Sequence, residues 1–192
     1  PEPTFLPDAD NVIPVLDGYW FEDNAADLFY RWLAAAYGEE TLEENVAWVQ
    51  DSLGCDVAKY FSRHFYKDHL QTYQKRPIYW MFESPKKSFR CLVYMHRYNE
   101  GTVGEVLAKY VRPFEDKLRS RITLLSASDS ARDVREAARL KDALDDVEGW
   151  ERGVMYDLAH ERVEIDLDDG VKVNYNKFPH ALAKVPGLSE WK

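Results

Sequence analysis

From Asn24 onward the apolar residues Ala25, Leu28, Phe29, Trp32, Leu33 and Ala36 recur at threes and fours. This spacing predicts an amphipathic helix with Asp23 or Asn24 as N-cap and Gly38 as terminator. A second helix is expected from Thr41, which has capping-box spacing to Glu44, through Val46 and Val49 to Gly54. A third is expected over Asp56 to Tyr73, with Val57, Tyr60, Phe61, Phe65, His69 and Leu70 on one side and Arg63 and Lys67 on another. Ahead of these helices, residues 1–22 carry Pro1, Pro3, Pro7 and Pro14. They predict an extended leader that docks through Val12, Ile13, Val15 and Leu16.

After Pro77 the pattern becomes strand-like. IYWMFE and FRCLVYM are apolar, aromatic runs separated by SPKKS, the signature of a β-hairpin with Lys86 and Lys87 at its tip and Arg76 and Arg90 at its edges. A lone hairpin is only marginally stable in water, so it must pack on neighbouring helices or on further strands. Helical spacing returns over Thr102 to Leu125 (Val103, Leu107, Phe114, Leu118, Ile122) and over 131–162 (Val134, Ala137, Leu140, Leu144, Val147, Trp150, Leu158). SASDS lies between the two, with Ser130 and Asp133 as a cap. The pair is expected to fold back as an antiparallel helical hairpin roughly 30 to 45 Å long, at ~1.5 Å per residue. Pro113 is expected to kink or interrupt its first arm, and the hairpin to serve as a spacer or docking arm.

The final stretch, VEIDLDDGVKVNYNKF, alternates Val163, Ile165 and Leu167 with acids. After the Asp169-Gly170 turn signal it resumes with Val171, Val173 and Tyr175, which predicts another hairpin. Its acids do not make an EF-hand loop, because Gly170 comes one position early and Lys177 stands where the bidentate glutamate belongs. The fold class is therefore α+β, mainly α: a helical N-terminal group, a central aromatic β-hairpin, a long antiparallel helical hairpin and a short C-terminal β-like segment. The three stretches 1–101, 102–162 and 163–192 are expected to form one fragment of a larger protein.

Composition narrows the functional classes. The 192 residues are 45% hydrophobic and 31% charged, with mean hydropathy −0.53. No apolar run approaches the ~20 residues of a membrane span. Cys55 and Cys91 show neither CxxC nor disulfide-scaffold spacing, and no targeting segment is visible, so a reducing cytoplasm is expected. The chain opens at Pro1 without an initiator Met, as a piece of a longer protein would.

The net charge of −9, from 25 basic and 34 acidic residues, argues against a polyanion-binding surface over the whole molecule. Within it, however, the window Lys59 to Tyr98 holds nine Lys/Arg against two acids, or +7, and the remainder sixteen against 32, or −16. The window also holds eleven of the 27 Phe, Trp and Tyr residues and three of the five His. Cations interleaved with rings suit phosphate neutralisation plus stacking. The plainer alternative is that the rings are core and the lysines solvate the opposite face.

Catalytic signatures are absent from the pattern. EGTVGEV supplies one GxxG through Gly101 and Gly104 without a ribose-binding acid in a following strand, and there is no GxxxxGK[ST]. His64 and His69 are five apart, off a common helix face, and no HExxH occurs. Cys91 and His96 would lie on opposite faces of a regular strand. Asp142, Asp145, Asp146 and Glu148 read as a solvated helical face.

Three stretches together, NVIPVLDGYWFEDN (11–24), FYKDHLQTYQKRPIYWMFESPKKSFRCLVYMHRYNEGTV (65–103) and RVEIDLDDGVKVNYNKF (162–178), resemble the C-terminal region of the adenine-specific DNA methyltransferases of BREX phage-defence systems, the PglX type. The resemblance runs in order over nearly the whole chain. It implies a parent N6-adenine methyltransferase that uses S-adenosylmethionine and selects its site through a target-recognition region. The family's (N/D)PP(Y/F) motif and its glycine-rich donor motif have no counterpart here, so no catalytic residue carries over and no cofactor is expected in this chain. The expected partner is double-stranded DNA, with Lys75, Arg76, Lys86, Lys87, Arg90 and Arg97 at phosphates and Tyr79, Trp80 and His96 shaping the groove-facing surface. The competing expectation is a protein-interaction module. In it the helical hairpin docks other phage-defence proteins, or an acidic DNA-mimic inhibitor occupies the basic strip.

Overall fold

The centre is a three-stranded antiparallel sheet in the order β1-β3-β2, from β1 (Val12–Pro14), β2 (Tyr79–Glu83) and β3 (Arg90–Tyr94). The structure, a computed structural model, describes residues 5, 6 and 9–191; Pro1, Pro3 and Pro7 of the expected leader lie outside them. The hairpin forms in the expected place, with Met81 opposite Leu92 and Glu83 opposite Arg90. The leader adds the edge strand, pairing Val12 with Val93 and Pro14 with Cys91. An edge tolerates Pro14, which has no N–H to donate.

Because side chains alternate along a strand, the sheet has two distinct faces. Val12, Trp80, Phe82, Cys91 and Val93 belong to the larger core, and Val15, Met81 and Leu92 to a smaller one that packs on Phe61, Phe65 and Tyr66. The helices on that second side are α1 (Ala25–Tyr37), α2 (Leu42–Leu53), α3 (Val57–Arg63) and α4 (Phe65–Thr72). Asn24 caps α1, its side-chain oxygen accepting the Ala26 and Asp27 amides at 3.1 Å, and Gly38 at φ 97° ends it. The capping box expected at Thr41 does not form. A 3-10 turn occupies Glu39–Thr41, and the Thr41 hydroxyl donates back to the Tyr37 carbonyl at 2.9 Å. The expected third helix is two, broken at His64.

The larger core is closed by the long helical hairpin. Its first arm is α5 (Thr102–Val106), a π turn at Leu107–Val111 and α6 (Arg112–Ser126); its second is α7 (Ala131–Trp150), a π turn at Glu151–Met155 and α8 (Tyr156–Glu161). Pro113 sits in the first turn of α6, directly after the π turn. Proline offers no N–H and its ring crowds the carbonyl four residues back, and the regular α-helix is interrupted by the widened turn just ahead of it. Val103, Leu107, Val111, Phe114 and Leu118 pack with Ala137, Leu140, Val147, Trp150 and Leu158 against the sheet. The hairpin is thus a wall of the core, not a free arm.

The C-terminal segment departs most from expectation. In place of a hairpin over 163–175 there is a 3-10 turn at Leu167–Asp169 and a short helix, α9 (Val171–Tyr175). Val171 and Tyr175 are also spaced i and i+4, so one helical face turns both inward while Val173 is exposed. Asn174 stabilises the turn, accepting the Asp166 amide at 3.1 Å and donating to the Gly170 carbonyl at 3.1 Å. Strand-like pairing comes later: the Glu83 amide donates to Ala181 at 2.9 Å and the Ala183 amide to Met81 at 2.8 Å, so the tail lies along the outer edge of β2.

Candidate nucleic-acid interface

The hairpin tip is set by a buried carboxylate. Asp146 on α7 accepts the Ser84 hydroxyl at 2.7 Å and the amides of Lys86 at 3.0 Å and Ser88 at 3.4 Å. Ser84 in turn receives the Phe89 amide at 3.0 Å. Asp146 is therefore not part of a solvated face, as the run of helical acids suggested; it fixes the turn that presents Lys86 and Lys87. Lys87 takes the left-handed conformation there, φ 64°.

Beside this tip a groove of 660 Å³ runs between α4, the end of the sheet and the C-terminal tail. Arg63 and Lys67 line it from the helices, Lys75 from the link before β2, Lys87 and Arg90 from the hairpin and Lys184 from the tail. Among the described residues Glu83 is the single carboxylate in the lining. Lys75, at φ 60°, closes the link onto the tail by donating to the Pro186 carbonyl at 2.9 Å. Arg63 pairs with Asp17 at 2.8 Å, and Lys87 with Glu83 at 3.7 Å. Both lysines and Arg63 remain exposed, where such pairs hold side chains only weakly.

Arg90 is half-buried, and burial lowers its pKa against the pull of Glu83 and Asp17. Guanidinium stays protonated regardless. Its Nε has no hydrogen-bond partner among the described residues, so the charge is held at the groove floor with a donor unused. Burial likewise raises Glu83, opposed by Lys87 and Arg90. The result is a concave surface with six cations from four chain segments, able to track a sugar–phosphate backbone.

The other expected site residues lie elsewhere. Lys86 faces a second depression of 260 Å³ across the tip, shared with Lys87, Arg90, Arg139, Asp17 and Asp142. Tyr79 and Tyr94 form the rung at the far end of the hairpin, rings 5.1 Å apart, with His96 5.4 Å from Tyr94. That rung is four residues from the Glu83–Arg90 rung, about 13 Å at ~3.3 Å per residue. Arg97 adjoins this cluster, opposing the rise that burial imposes on the Tyr79 hydroxyl. Arg76 is exposed on the link beside it. His69 holds Tyr79 in place: its Nε2 accepts the Tyr79 amide at 3.1 Å, and burial lowers its pKa.

Trp80 does not shape any outward surface. It is 3% exposed, its indole donates to the Pro77 carbonyl at 3.0 Å, and it packs edge-on to Tyr175 and Phe178. The basic ribbon is thus two patches at opposite ends of one hairpin. Arg63 and Lys67, counted in the basic window but not singled out, belong to the groove. Lys184 was missed, its one signal being its place between the buried Ala183 and Val185 in an extended tail.

Cys91 is fully buried, which pushes its thiol well above the ordinary range, while His96 is exposed in the turn beyond β3; they form no pair. Gly101 has an ordinary right-handed conformation before α5 and Gly104 lies inside that helix, so EGTVGEV makes no cradle and the residues present do not fit a methyl donor. Among the described residues no group of three or more His, Cys, Asp and Glu is gathered for a metal, and no helix is long and apolar enough to cross a membrane.

No family model matches the chain. Individual proteins do. It is 37% identical, over 97% of its length, to the adenine-specific methyltransferase BrxX of Escherichia coli O9:H4 (strain HS). The chain is a homologue of part of the BREX adenine-specific methyltransferases. A second member, PglX of Lacticaseibacillus casei (strain Zhang), is 32% identical over 91% of it. The chain spans only 16–17% of the length of these two relatives. The chain thus matches one region of each of these two proteins.

Proposed function

We propose that this chain is the non-catalytic, DNA-contacting part of the target-recognition region of a site-specific N6-adenine DNA methyltransferase, acting in phage defence. Its parent would carry the S-adenosylmethionine site and the catalytic motif in other segments and work in the cytoplasm. The observation that carries this reading is the convergence of Arg63, Lys67, Lys75, Lys87, Arg90 and Lys184 on one groove with a single carboxylate, in a chain of net charge −9. That both relatives are adenine-specific methyltransferases supports it. Phosphate contacts position such a module, and Tyr79, Tyr94 and His96 at the far end of the hairpin stand where a duplex lying along it would next be met.

A fluorescence-anisotropy titration with duplex DNA at several salt concentrations tests this. Six phosphate contacts predict a log–log slope near −5, from roughly 0.9 per contact. Lys67→Glu with Lys184→Glu, both exposed, should weaken binding at every salt and reduce the slope by about two. A slope near zero, or unchanged affinity in that double variant and in Lys86→Glu with Lys87→Glu, removes the DNA role.

A further inference from the structure

Helices α1, α2 and α3 enclose a second concavity, far different in character from the basic groove. It is an apolar trough of 480 Å³ walled by Phe29, Trp32, Tyr37, Trp48, Leu53 and Phe61. Large hydrophobic side chains are left in solvent there: Trp48 is 71% exposed, Tyr37 61%, Trp32 43% and Leu53 36%. Helix α2 has no buried residue at all. Short helices draw their stability from packing an amphipathic face, so a twelve-residue helix with its tryptophan in water lacks the partner its sequence pattern is built for.

The charge around the trough specifies what would cover it. Residues 25–53, which carry α1, α2 and the turn between them, hold six acids against the single base Arg31; Asp27 lines a separate depression, and the other five lie on α2 or the turn before it. Glu44 and Asp51 stand four before and three after Trp48, hence on the same strip of α2. At the end of the trough Asp68 accepts the Tyr60 hydroxyl at 3.2 Å. Lys59 faces a different depression on the other side of α3. A rim of this sign repels phosphate and attracts lysine and arginine. The walls are helices throughout and offer no strand edge, so an extended segment would find no backbone partners, whereas a helix satisfies its own.

We propose that this trough docks a basic amphipathic helix of a partner protein, with apolar residues at i, i+3 or i+4, and i+7 filling the space between Trp32 and Trp48 and Lys/Arg on its flanks facing Glu44 and Asp51. The site is separate from the basic groove and does not depend on the DNA reading.

Calorimetric titration with synthetic 18-residue peptides tests it. One peptide carries leucines on a single helical face and lysines elsewhere, the second has the same composition with the leucines scattered, and the third replaces the lysines by glutamate. The first should bind about tenfold or more tighter than either control. Trp48→Ala should weaken it by a similar factor, as truncating a central aromatic anchor does, and Glu44→Lys with Asp51→Lys should also weaken it. These positions are exposed, and circular dichroism should report unchanged folding. Equal binding of the three peptides, or a titration unaffected by Trp48→Ala, overturns the proposal. So would self-association of the protein alone that Trp48→Ala abolishes, which assigns the trough to a second copy, or a loss of duplex affinity in Trp48→Ala, which assigns it to nucleic acid.

Discussion

Asp146 and Glu115 are two acids on the same helical hairpin that the interior uses in opposite ways. Asp146 spends its carboxylate on three donors of the hairpin tip, so removing it leaves a buried hydroxyl and backbone N–H groups without an acceptor. Asp146→Ala is expected to cost about 2 to 3 kcal/mol in urea denaturation, the range for hydrogen bonds to a charged group, and to weaken duplex binding because Lys86 and Lys87 lose their fixed turn. A change within experimental error in both measurements would show that the turn holds itself. Glu115 is buried on α6 with one oxygen unpartnered among the described residues, although Arg119 reaches the other at 3.1 Å. Burial first, and then the nearby Glu151, raise its carboxyl from the ordinary 4.5 to about 7. Its contribution to stability is full below about pH 4.5 and is lost as pH rises through about 7, because the fold favours the protonated form. Glu115→Gln, neutral at all pH, should therefore gain in melting temperature relative to the parent chain between pH 5 and pH 8. A difference constant across that range would contradict the assignment.

At the scale of elements, legibility followed the length of the apolar pattern. α1 and both arms of the helical hairpin were readable because five or more positions agree on one period, and the central hairpin because two continuous apolar runs flank a short polar turn. The stretch 171–175 was not, because Val171, Val173 and Tyr175 fit a strand's alternation while Val171 and Tyr175 fit a helix's four-residue step. Contacts from outside the segment decide: the buried Tyr175 hydroxyl donates to the Ala183 carbonyl at 2.5 Å and reaches Tyr66 at 3.4 Å. The tail that Tyr175 helps to hold covers the edge of β2, and Ala183 donates the backbone bond that secures it. Ala183→Pro deletes that donor. It should lower stability by about 1 to 3 kcal/mol, and light scattering should show aggregation through the uncovered strand edge. A variant as stable and as monodisperse as the parent chain would show that the tail contributes nothing to the sheet.

For the molecule as a whole, charge is sorted by element. The acidic helix α2 with the turn before it, and the basic groove formed by α3, α4, the hairpin tip and the tail, carry opposite charge on one small body, an asymmetry that orients a molecule in an external field before any contact forms. That sorting was partly visible in the chain, since the acidic run 22–58 and the basic window 59–98 are each continuous. Its division was not. Strand geometry sets the Glu83–Arg90 and Tyr79–Tyr94 rungs about 13 Å apart and sends Trp80 to the opposite face, so a stretch contiguous in sequence becomes two patches and a piece of core.

By itself, then, the amino-acid order determined the helical and strand segments with strong periodicity, the segregation of charge and the kinship with BREX methyltransferases, all of which are local or cumulative along the chain. Only the tertiary structure decided that Lys184 joins Arg63 and Lys67, that Asp146 anchors the hairpin and that the leader and tail flank its two strands. Each of those depends on residues some 60 to 120 positions apart meeting in space. A pattern that repeats every two to four residues carries no information about such meetings; the packing of the two cores on either side of the sheet supplies it.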